Sequence, residues 1–220
     1  MVKRMKKNRV VVIAGSDFTS FEAGQICPET DLVIAADAGA MSLQAHGLVP
    51  DIAVGDFDTT GISYIETLKK QGVRVLSLPE EKDVTDLHFA LICAVRQDPE
   101  EILILGALGG KRFDHMLANI GLLEWLHEEG QKATMLHPSN RLRLLSGPGK
   151  MKFDTKDFQY VSLLPVTREV TGIETDGLKY PLKKEKLYRG QTRGISNELV
   201  KIPAYVSIEK GSCLVIESRE

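Results

Sequence analysis

Two acidic residues one position apart stand out in the string VGDFDTT, residues 54–60. On an extended segment, side chains at alternate positions point the same way, so Asp56 and Asp58 are able to hold one cation together. Asp, Gly and Thr are also common turn residues, and the string by itself is equally typical of an ordinary turn. The pattern therefore indicates either a cation site or a tight turn.

A second acidic group lies in KDVTD, residues 82–86, between a predicted strand and a predicted helix. A structural interpretation exists here, because Thr85 or Asp83 is suited to cap the helix and Asp86 would favour the positive end of its dipole. If this group and the GDFD aspartates share a cleft, four carboxylates repel one another unless a cation is bound. Mg²⁺ fits such a site, because it prefers oxygen ligands and leaves positions for phosphate oxygens.

A glycine-rich string, GALGGKRFDHMLAN at residues 106–119, carries basic residues. Gly109 and Gly110 let backbone amides approach an anion closely, and Lys111 and Arg112 supply fixed positive charge. The spacing is neither that of a P-loop nor that of a dinucleotide-binding fingerprint. The string therefore predicts a different kind of phosphate site.

Two neighbouring pairs have both a functional and a structural interpretation. Asp114 and His115, next to the basic residues, are either part of the phosphate site or an N-cap with an adjacent ring. In ADAGA, residues 36–40, Asp37 is suited to bind a ribose or a cation and Gly39 to begin a helix beneath an anion. The alternative for this pair is an ordinary strand-to-helix turn.

The elements that must position these residues alternate from Arg9 to about Leu136. Buried strands are predicted at residues 10–15, 32–37, 73–79 and 101–109, and helices at 40–46, 62–71, 85–96 and 114–129. This alternation predicts an α/β fold with a mostly parallel, Rossmann-like sheet. Ligands of such sheets bind beyond the carboxyl ends of the strands, so polar residues there are the first candidates for a site.

The pattern changes after about residue 140. Short runs rich in β-forming and turn residues replace the helical spacing, and they predict a small all-β sandwich domain. We therefore expect two domains, an α/β domain over 1–140 and a β domain over 141–220. The last run, AYVSIEKGSCLVIE, predicts a hairpin that turns at Lys210 and Gly211.

Length and charge limit the classes of protein to consider. The chain has 220 residues, 43% of them hydrophobic, and a formal net charge of −2, so it is able to bury a core but has no overall field suited to nucleic acid. The basic residues near the N-terminus, Lys3 to Arg9, are expected to form a solvated tail. The apolar run behind them, residues 10–14, is too short for a signal peptide, so we expect neither secretion nor a membrane span.

The three cysteines are distant from one another and have no CxxC spacing. This usage indicates neither a disulfide framework nor a zinc site. A reducing, cytoplasmic setting is the expectation that follows.

Four strings in the first part of the chain and two in the second together resemble the thiamine pyrophosphokinase family. They are ADAG, GDFD, KDVTD and GGKRFDH, followed by GLKYPL and TRGISNE. The resemblance runs from Val10 to Ile216 and implies transfer of a diphosphate from ATP to the hydroxyethyl group of thiamine, giving thiamine diphosphate and AMP. It also implies Mg²⁺ as a cofactor and a homodimer, with thiamine held between the α/β domain of one subunit and the β domain of the other.

The resemblance assigns roles in the α/β domain by position. Asp56, Asp58 and Asp86 match the family's magnesium-binding acids, and with Asp83 as a helper they form the predicted catalytic group. The residues that match the surroundings of ATP, or lie in the same strings, are Asp37, Gly39, Gly109, Gly110, Lys111, Arg112, Asp114 and His115.

In the β domain, Ser196 and Asn197 match thiamine-side residues of the family. Tyr180 lies where some members have tryptophan. Its ring is either a face for the thiamine heterocycles or, as is usual for a tyrosine in a β domain, part of the core.

Two other functions fit the same residues. A metal-dependent phosphohydrolase would use the acidic cluster to activate water instead of an alcohol. A non-catalytic nucleotide or metal sensor would bind ATP without producing AMP, and its second domain would be an interaction module. Acidic and basic groups around one strand edge favour catalysis over sensing.

Overall fold

The computed structural model describes residues 8–57, 61–79 and 83–220. The chain divides into two compact units, the first ending at Pro138 and the second spanning Ser139–Glu220. The sequence predicts a division after residue 140, and the structure divides after Pro138. Asp58 and most of the basic N-terminal tail lie outside the described residues.

One parallel sheet organises the described part of the first unit. Its strands are β1 (Arg9–Ile13), β2 (Asp31–Ala36), β3 (Ile52–Gly55), β4 (Arg74–Ser77), β5 (Glu101–Leu105) and β6 (Ala133–His137). They lie in the order β6-β5-β1-β2-β3-β4, and each neighbouring pair is parallel. β1 reads RVVVI and is buried over its last four residues, as expected of a central strand covered on both faces.

The helices of this unit connect successive strands. In the described residues they are α1 (Ser20–Ala23), α2 (Gly39–Ala45), α3 (Gly61–Lys70), α4 (Asp86–Val95) and α5 (Phe113–Glu128). The four longer ones confirm the predicted helices to within one residue at each end, and the α/β prediction is confirmed with them. Three described elements were not predicted from the sequence: β3, β6 and α1. β3 has only four residues, and α1 has only one turn.

The N-terminal ends of β1 and β2 are joined by an ion pair. The guanidinium of Arg9 donates to both carboxylate oxygens of Asp31, at 2.8 and 2.7 Å, and Asp31 is 2% exposed. This hydrogen bonding is the main reason why the pKa of Arg9 is raised. Arg9 is therefore part of the sheet and not of a solvated tail.

The second unit, all of which is described, is a β-sandwich. Its strands are β7 (Asn140–Ser146), β8 (Gly149–Phe153), β9 (Tyr160–Pro165), β10 (Glu169–Asp176), β11 (Glu185–Tyr188), β12 (Asn197–Glu198), β13 (Ala204–Ile208) and β14 (Ser212–Ser218). One sheet has the order β12-β9-β14-β7 and the other β11-β10-β13-β8, with antiparallel pairing. Both sheets contribute to one core, with Phe153 and Val206 from one side and Val161 and Val215 from the other.

The predicted hairpin at Lys210 and Gly211 is wrong. The chain does change direction there, but β13 pairs with β8 and β10 while β14 pairs with β7 and β9. The segment carries the chain from one sheet of the sandwich to the other. Alternation of apolar residues predicts two strands equally well in either case, so the sequence pattern does not distinguish a hairpin from a crossing.

No described helix is both long enough and apolar enough to cross a membrane.

Candidate active site

The strand order places a crevice beside β1. The chain proceeds from β1 through β2 and β3 to β4 on one side and then crosses to β5 on the other. At such a switch point the loops after the two central strands diverge, which leaves room for a ligand at the carboxyl edge. A cavity of about 470 Å³ lies at this edge, within the usual size range of ligand sites.

Five segments of the first unit line this cavity. They are the loops that follow β1, β2 and β5, the beginning of α4, and the first half of α5. Of the predicted site residues, the cavity brings together Asp37, Asp86, Gly109, Gly110, Lys111, Arg112 and His115.

The loop after β5, residues 106–112, is called here the glycine loop. Gly106, Gly109 and Gly110 have φ angles of +62°, +120° and +77°, conformations that side chains rarely adopt. The loop ends in Lys111 and Arg112, both exposed in the cavity wall. The glycines therefore form a turn that brings two fixed positive charges to the cavity, a composition suited to phosphate oxygens.

Arg112 is bound to Asp114, two residues further on. Its Nε donates to Asp114 Oδ1 at 3.2 Å and its terminal nitrogen donates to Oδ2. This hydrogen bonding is the main reason why the pKa of Asp114 is lowered to about 2. Asp114 is not among the residues that line the cavity, so its contact with the site runs through Arg112.

The N-cap interpretation of Asp114 is wrong. The helix α5 begins at Phe113 and its N-cap is Arg112, so Asp114 lies inside the first turn. An acidic residue there is favoured by the helix dipole.

Asp37 lies in a strained turn at the end of β2. Its φ angle is +43°, unusual for a residue with a side chain, and its N–H donates to Val54 O at 2.7 Å. A Cβ at Gly55 would lie 3.2 Å from Asp37 atoms, so this turn packs directly on the end of β3. Backbone conformations of this kind concentrate at functional sites.

Gly39 supports the same turn without lining the cavity. A Cβ at this position would lie 2.5 Å from Ile13 O and 3.0 Å from Ala14 O. The beginning of α2 therefore approaches the end of β1 more closely than any side chain allows. Gly39 begins α2 as predicted and has this steric role in the described structure, while its place at an anion stays a prediction.

The start of α4 combines the two interpretations of the KDVTD string. Thr85 is the N-cap, and its hydroxyl accepts a hydrogen bond from the His88 N–H at 3.2 Å. Thr85 and Asp86 also line the cavity. Asp83 is exposed and is not among the lining residues. Capping is thus confirmed, and the cap lies in the cavity wall.

The GDFD string begins at Gly55, the last residue of β3. Asp56 is half-buried, and Phe57 is 2% exposed with a φ angle of +54°. Asp56 is not among the residues that line the cavity, and Asp58 lies outside the described residues. Within residues 8–57, 61–79 and 83–220, no group of three His, Cys, Asp or Glu side chains is placed to hold one metal ion. The three-aspartate magnesium site stays a prediction.

Three polar side chains of the cavity wall were not predicted as site residues. Ser16 Oγ donates to Gly109 O at 3.1 Å, Asp17 Oδ2 accepts from the Gly110 N–H at 3.1 Å, and Asn119 Nδ2 donates to Ala107 O at 3.0 Å. Ser16 and Asp17 follow β1 at its carboxyl end, so their position after a buried strand was a usable signal. Asn119 lies within α5, where no local pattern distinguishes it.

A smaller pocket lies in the second unit. It measures about 100 Å³, the scale of a single aromatic ring, and its walls are mostly apolar. Tyr180 and Asn197 line it together with Arg193. Tyr180 is 59% exposed, so the interpretation of this ring as a core residue is wrong.

Asn197 holds the backbone next to this pocket. Its Oδ1 accepts from the Tyr180 N–H at 2.9 Å, and its Nδ2 donates to Tyr180 O at 2.7 Å. Ser196 does not line the pocket; its φ angle is +57° and its N–H donates to Ser162 Oγ at 2.9 Å. The two residues thus fix the wall that carries the Tyr180 ring.

The fold and the larger cavity define a two-domain α/β protein with a polar ligand site at the carboxyl edge of a parallel sheet. Residues 23–135 match the family model of the thiamin pyrophosphokinase catalytic domain, and residues 150–213 match that of the thiamin pyrophosphokinase vitamin B1 binding domain. The first match alone covers just over half of the chain. The chain belongs to the thiamine pyrophosphokinase family.

Individual relatives agree with this assignment. Thiamine pyrophosphokinase of Bacillus subtilis (strain 168) is 32% identical over 193 residues, which cover 87% of this chain and 89% of the relative. The crystal structure of thiamine pyrophosphokinase from Bacillus subtilis superposes with a TM-score of 0.86 at 29% identity and covers 96% of this chain and 99% of that one. The thiamin pyrophosphokinase structure from Geobacillus thermodenitrificans gives 0.83 at 29% identity, with 96% and 98% coverage.

Proposed function

We propose that this member of the thiamine pyrophosphokinase family transfers a diphosphate from ATP to the hydroxyl group of thiamine, giving thiamine diphosphate and AMP. The observation that carries the proposal is the 470 Å³ cavity at the switch point, whose wall contains the basic end of the glycine loop. A site of this size and charge suits a nucleotide with its phosphates.

Within this proposal, Lys111 and Arg112 bind phosphate oxygens and offset the negative charge that builds on the leaving AMP. Phosphoryl-type transfer has a loose transition state, so positioning and charge neutralisation contribute more than a strong base. Asp37, at the opposite side of the cavity, is suited to a ribose hydroxyl. Asp83 or Asp86 orients the thiamine hydroxyl. Because the transition state is loose, neither aspartate needs to remove the hydroxyl proton before the bond to phosphorus begins to form.

The acids proposed for Mg²⁺ are Asp56, Asp58 and Asp86. Their chemistry fits the ion: Asp86 lines the cavity, Asp56 follows a strand that ends at the same sheet edge, and carboxylate oxygens are preferred Mg²⁺ ligands. The bound ion would neutralise charge on the phosphate oxygens.

We propose that thiamine contacts the second unit at the pocket lined by Tyr180 and Asn197. An exposed tyrosine ring beside apolar walls suits stacking on a heterocycle or contact with a cationic thiazolium. Ser196 contributes through the backbone that it fixes at this wall.

A homodimer with thiamine at the subunit interface is part of the proposal. Large apolar side chains are exposed on the second unit, and groups of such side chains often mark interaction surfaces. They are Tyr180, Tyr188, Ile195, Val200 and Ile202. Light scattering of the purified protein tests this part, and a monomer at micromolar concentration would contradict it.

The reducing, cytoplasmic setting also stays a proposal. All three cysteines are described and are free thiols, with Cys27 exposed and Cys93 and Cys213 buried. Unpaired cysteines are usual in a reducing compartment.

The deciding experiment separates the proposed transfer from hydrolysis and from sensing. The protein is incubated with Mg²⁺ and ATP, with and without thiamine, and the products are identified by mass spectrometry. The proposal expects AMP and thiamine diphosphate in equal amounts, formed only with thiamine. Release of phosphate without thiamine favours the phosphohydrolase, and binding of ATP without any AMP favours the sensor.

A further inference from the structure

The glycine loop is held at two points by carboxylates of one short segment. The Gly106 N–H donates to Glu22 Oε1 at 3.1 Å, and the Gly110 N–H donates to Asp17 Oδ2 at 3.1 Å. Asp17 and Glu22 both belong to the stretch between β1 and the end of α1. The segment that follows β1 thus binds the glycine loop at its first and at its fifth residue.

The Glu22 end is buried and rigid. Glu22 is 0% exposed, and its second oxygen, Oε2, accepts from the Thr19 N–H at 2.8 Å. Beside it, the Ser16 N–H donates to Gly106 O at 2.9 Å. A buried carboxylate that accepts two backbone hydrogen bonds fixes the base of the glycine loop to the base of the β1 loop.

The Asp17 end is different, because it is exposed and lies in the cavity wall. A Cβ at Gly109 would lie 2.7 Å from Asp17 Oδ2, so the carboxylate packs directly on the turn that precedes Lys111. A negative charge next to a phosphate site weakens anion binding by Coulomb repulsion. Its position therefore needs a compensating reason, and the hydrogen bond to Gly110 supplies one.

We propose that Asp17 is a positioning residue for nucleotide binding: its carboxylate holds the Gly109–Gly110 turn so that Lys111 and Arg112 face the phosphates. Glu22 anchors the other end of the same loop. The inference rests on the proposed function of the cavity as the nucleotide site. It assigns Asp17 to loop geometry and not to metal binding or proton transfer.

Two substitutions at this position separate geometry from charge. Asp17→Asn keeps an oxygen that accepts from the Gly110 N–H but removes the charge, whereas Asp17→Ala removes both. Loss of a hydrogen bond to a charged acceptor typically lowers an equilibrium constant by about tenfold. We therefore expect Asp17→Ala to raise the KM and Kd for ATP about tenfold with kcat within about twofold of wild type, and Asp17→Asn to restore ATP binding.

The measurements are steady-state kinetics with ATP as the varied substrate and calorimetric titration with Mg²⁺-ATP in the absence of thiamine. Glu128→Ala serves as the control, since it removes an exposed carboxylate at the end of α5, outside the cavity lining. Thermal unfolding of each variant shows whether the fold is retained.

An ATP affinity at least ~5-fold weaker for Asp17→Ala than for Asp17→Asn supports the inference, and a smaller difference overturns it, because equal losses indicate a charge or metal role. The proposed function fails separately: wild type that binds Mg²⁺-ATP but makes no thiamine diphosphate contradicts the reaction, while the comparison of the two variants still decides the role of Asp17. Wild type that does not bind ATP overturns both.

Discussion

The close approach of α2 to β1 at Gly39 gives a quantitative prediction. In Gly39→Ala the new Cβ would lie 2.5 Å from Ile13 O, whereas ordinary contacts begin at 3.4 Å, so the backbone must give way by about 0.9 Å. Ile13 is 0% exposed in the central strand and has little freedom to move. Forcing extra volume into such a site typically costs 1–3 kcal/mol.

The matched control is Gly121→Ala, in the middle of α5, where a Cβ would meet nothing within 4 Å. Alanine is favoured over glycine inside a helix by roughly 0.5–1 kcal/mol, so this variant is expected to be more stable than wild type. The same substitution thus has opposite predicted signs at two helical positions of one domain.

Trp125 is the one tryptophan of the sequence and lies in α5, so its fluorescence reports unfolding of the first unit. For a chain of this size, 1 kcal/mol shifts Tm by roughly 2–4 °C. We expect Gly39→Ala to lower Tm by at least that amount and to raise the KM for ATP, because displacement of α2 moves the Asp37 turn. An unchanged Tm in Gly39→Ala, or an equal loss in Gly121→Ala, would refute the steric reasoning.

Three further outcomes are expected. Asp56→Asn lowers kcat at least ~100-fold with an unchanged unfolding temperature, the scale of losing a key electrostatic group, and near-normal turnover would remove Asp56 from the magnesium site. Tyr180→Ala raises the KM for thiamine but not for ATP, while Lys152→Ala, which shortens an exposed side chain of β8 outside the pocket lining, leaves both unchanged; equal effects of the two variants would contradict the thiamine role. Burial raises the pKa of the Cys213 thiol to about 12, so mass spectrometry after alkylation of the native protein at pH 8 should show modified Cys27 and unmodified Cys213. Rapid alkylation of Cys213 in folded protein would show that the thiol is not buried. Because the pKa of the Cys213 thiol is higher in the folded than in the unfolded protein, the neutral thiol stabilises the fold fully below the unfolded-state pKa near 9.0. This contribution to stability is lost as the pH rises towards 12.

The sequence determined the sheet and the edge at which the site lies. Apolar runs such as RVVVI and amphipathic segments between them are local patterns, and they are sufficient to predict a parallel α/β sheet. Because parallel strands end at the same edge of a sheet, the residues that follow them were predicted to lie close together. Asp37, Asp86 and the end of the glycine loop do line one cavity. The change of sequence pattern near residue 140 likewise predicted the β-sandwich, in whose strands successive side chains alternate between core and solvent.

Only the tertiary structure decided which residues contact one another across that edge. Asp17 and Gly110 are 93 positions apart, and they meet because β5 crosses back to lie beside β1. Tertiary packing decides two other features in the same way. Gly39 must lack a side chain because the backbone of β1 lies against it, and β13 and β14 belong to different sheets. Local spacing determines an element and its faces, but strand order depends on the packing of the whole sheet, and no single segment of the sequence contains that information.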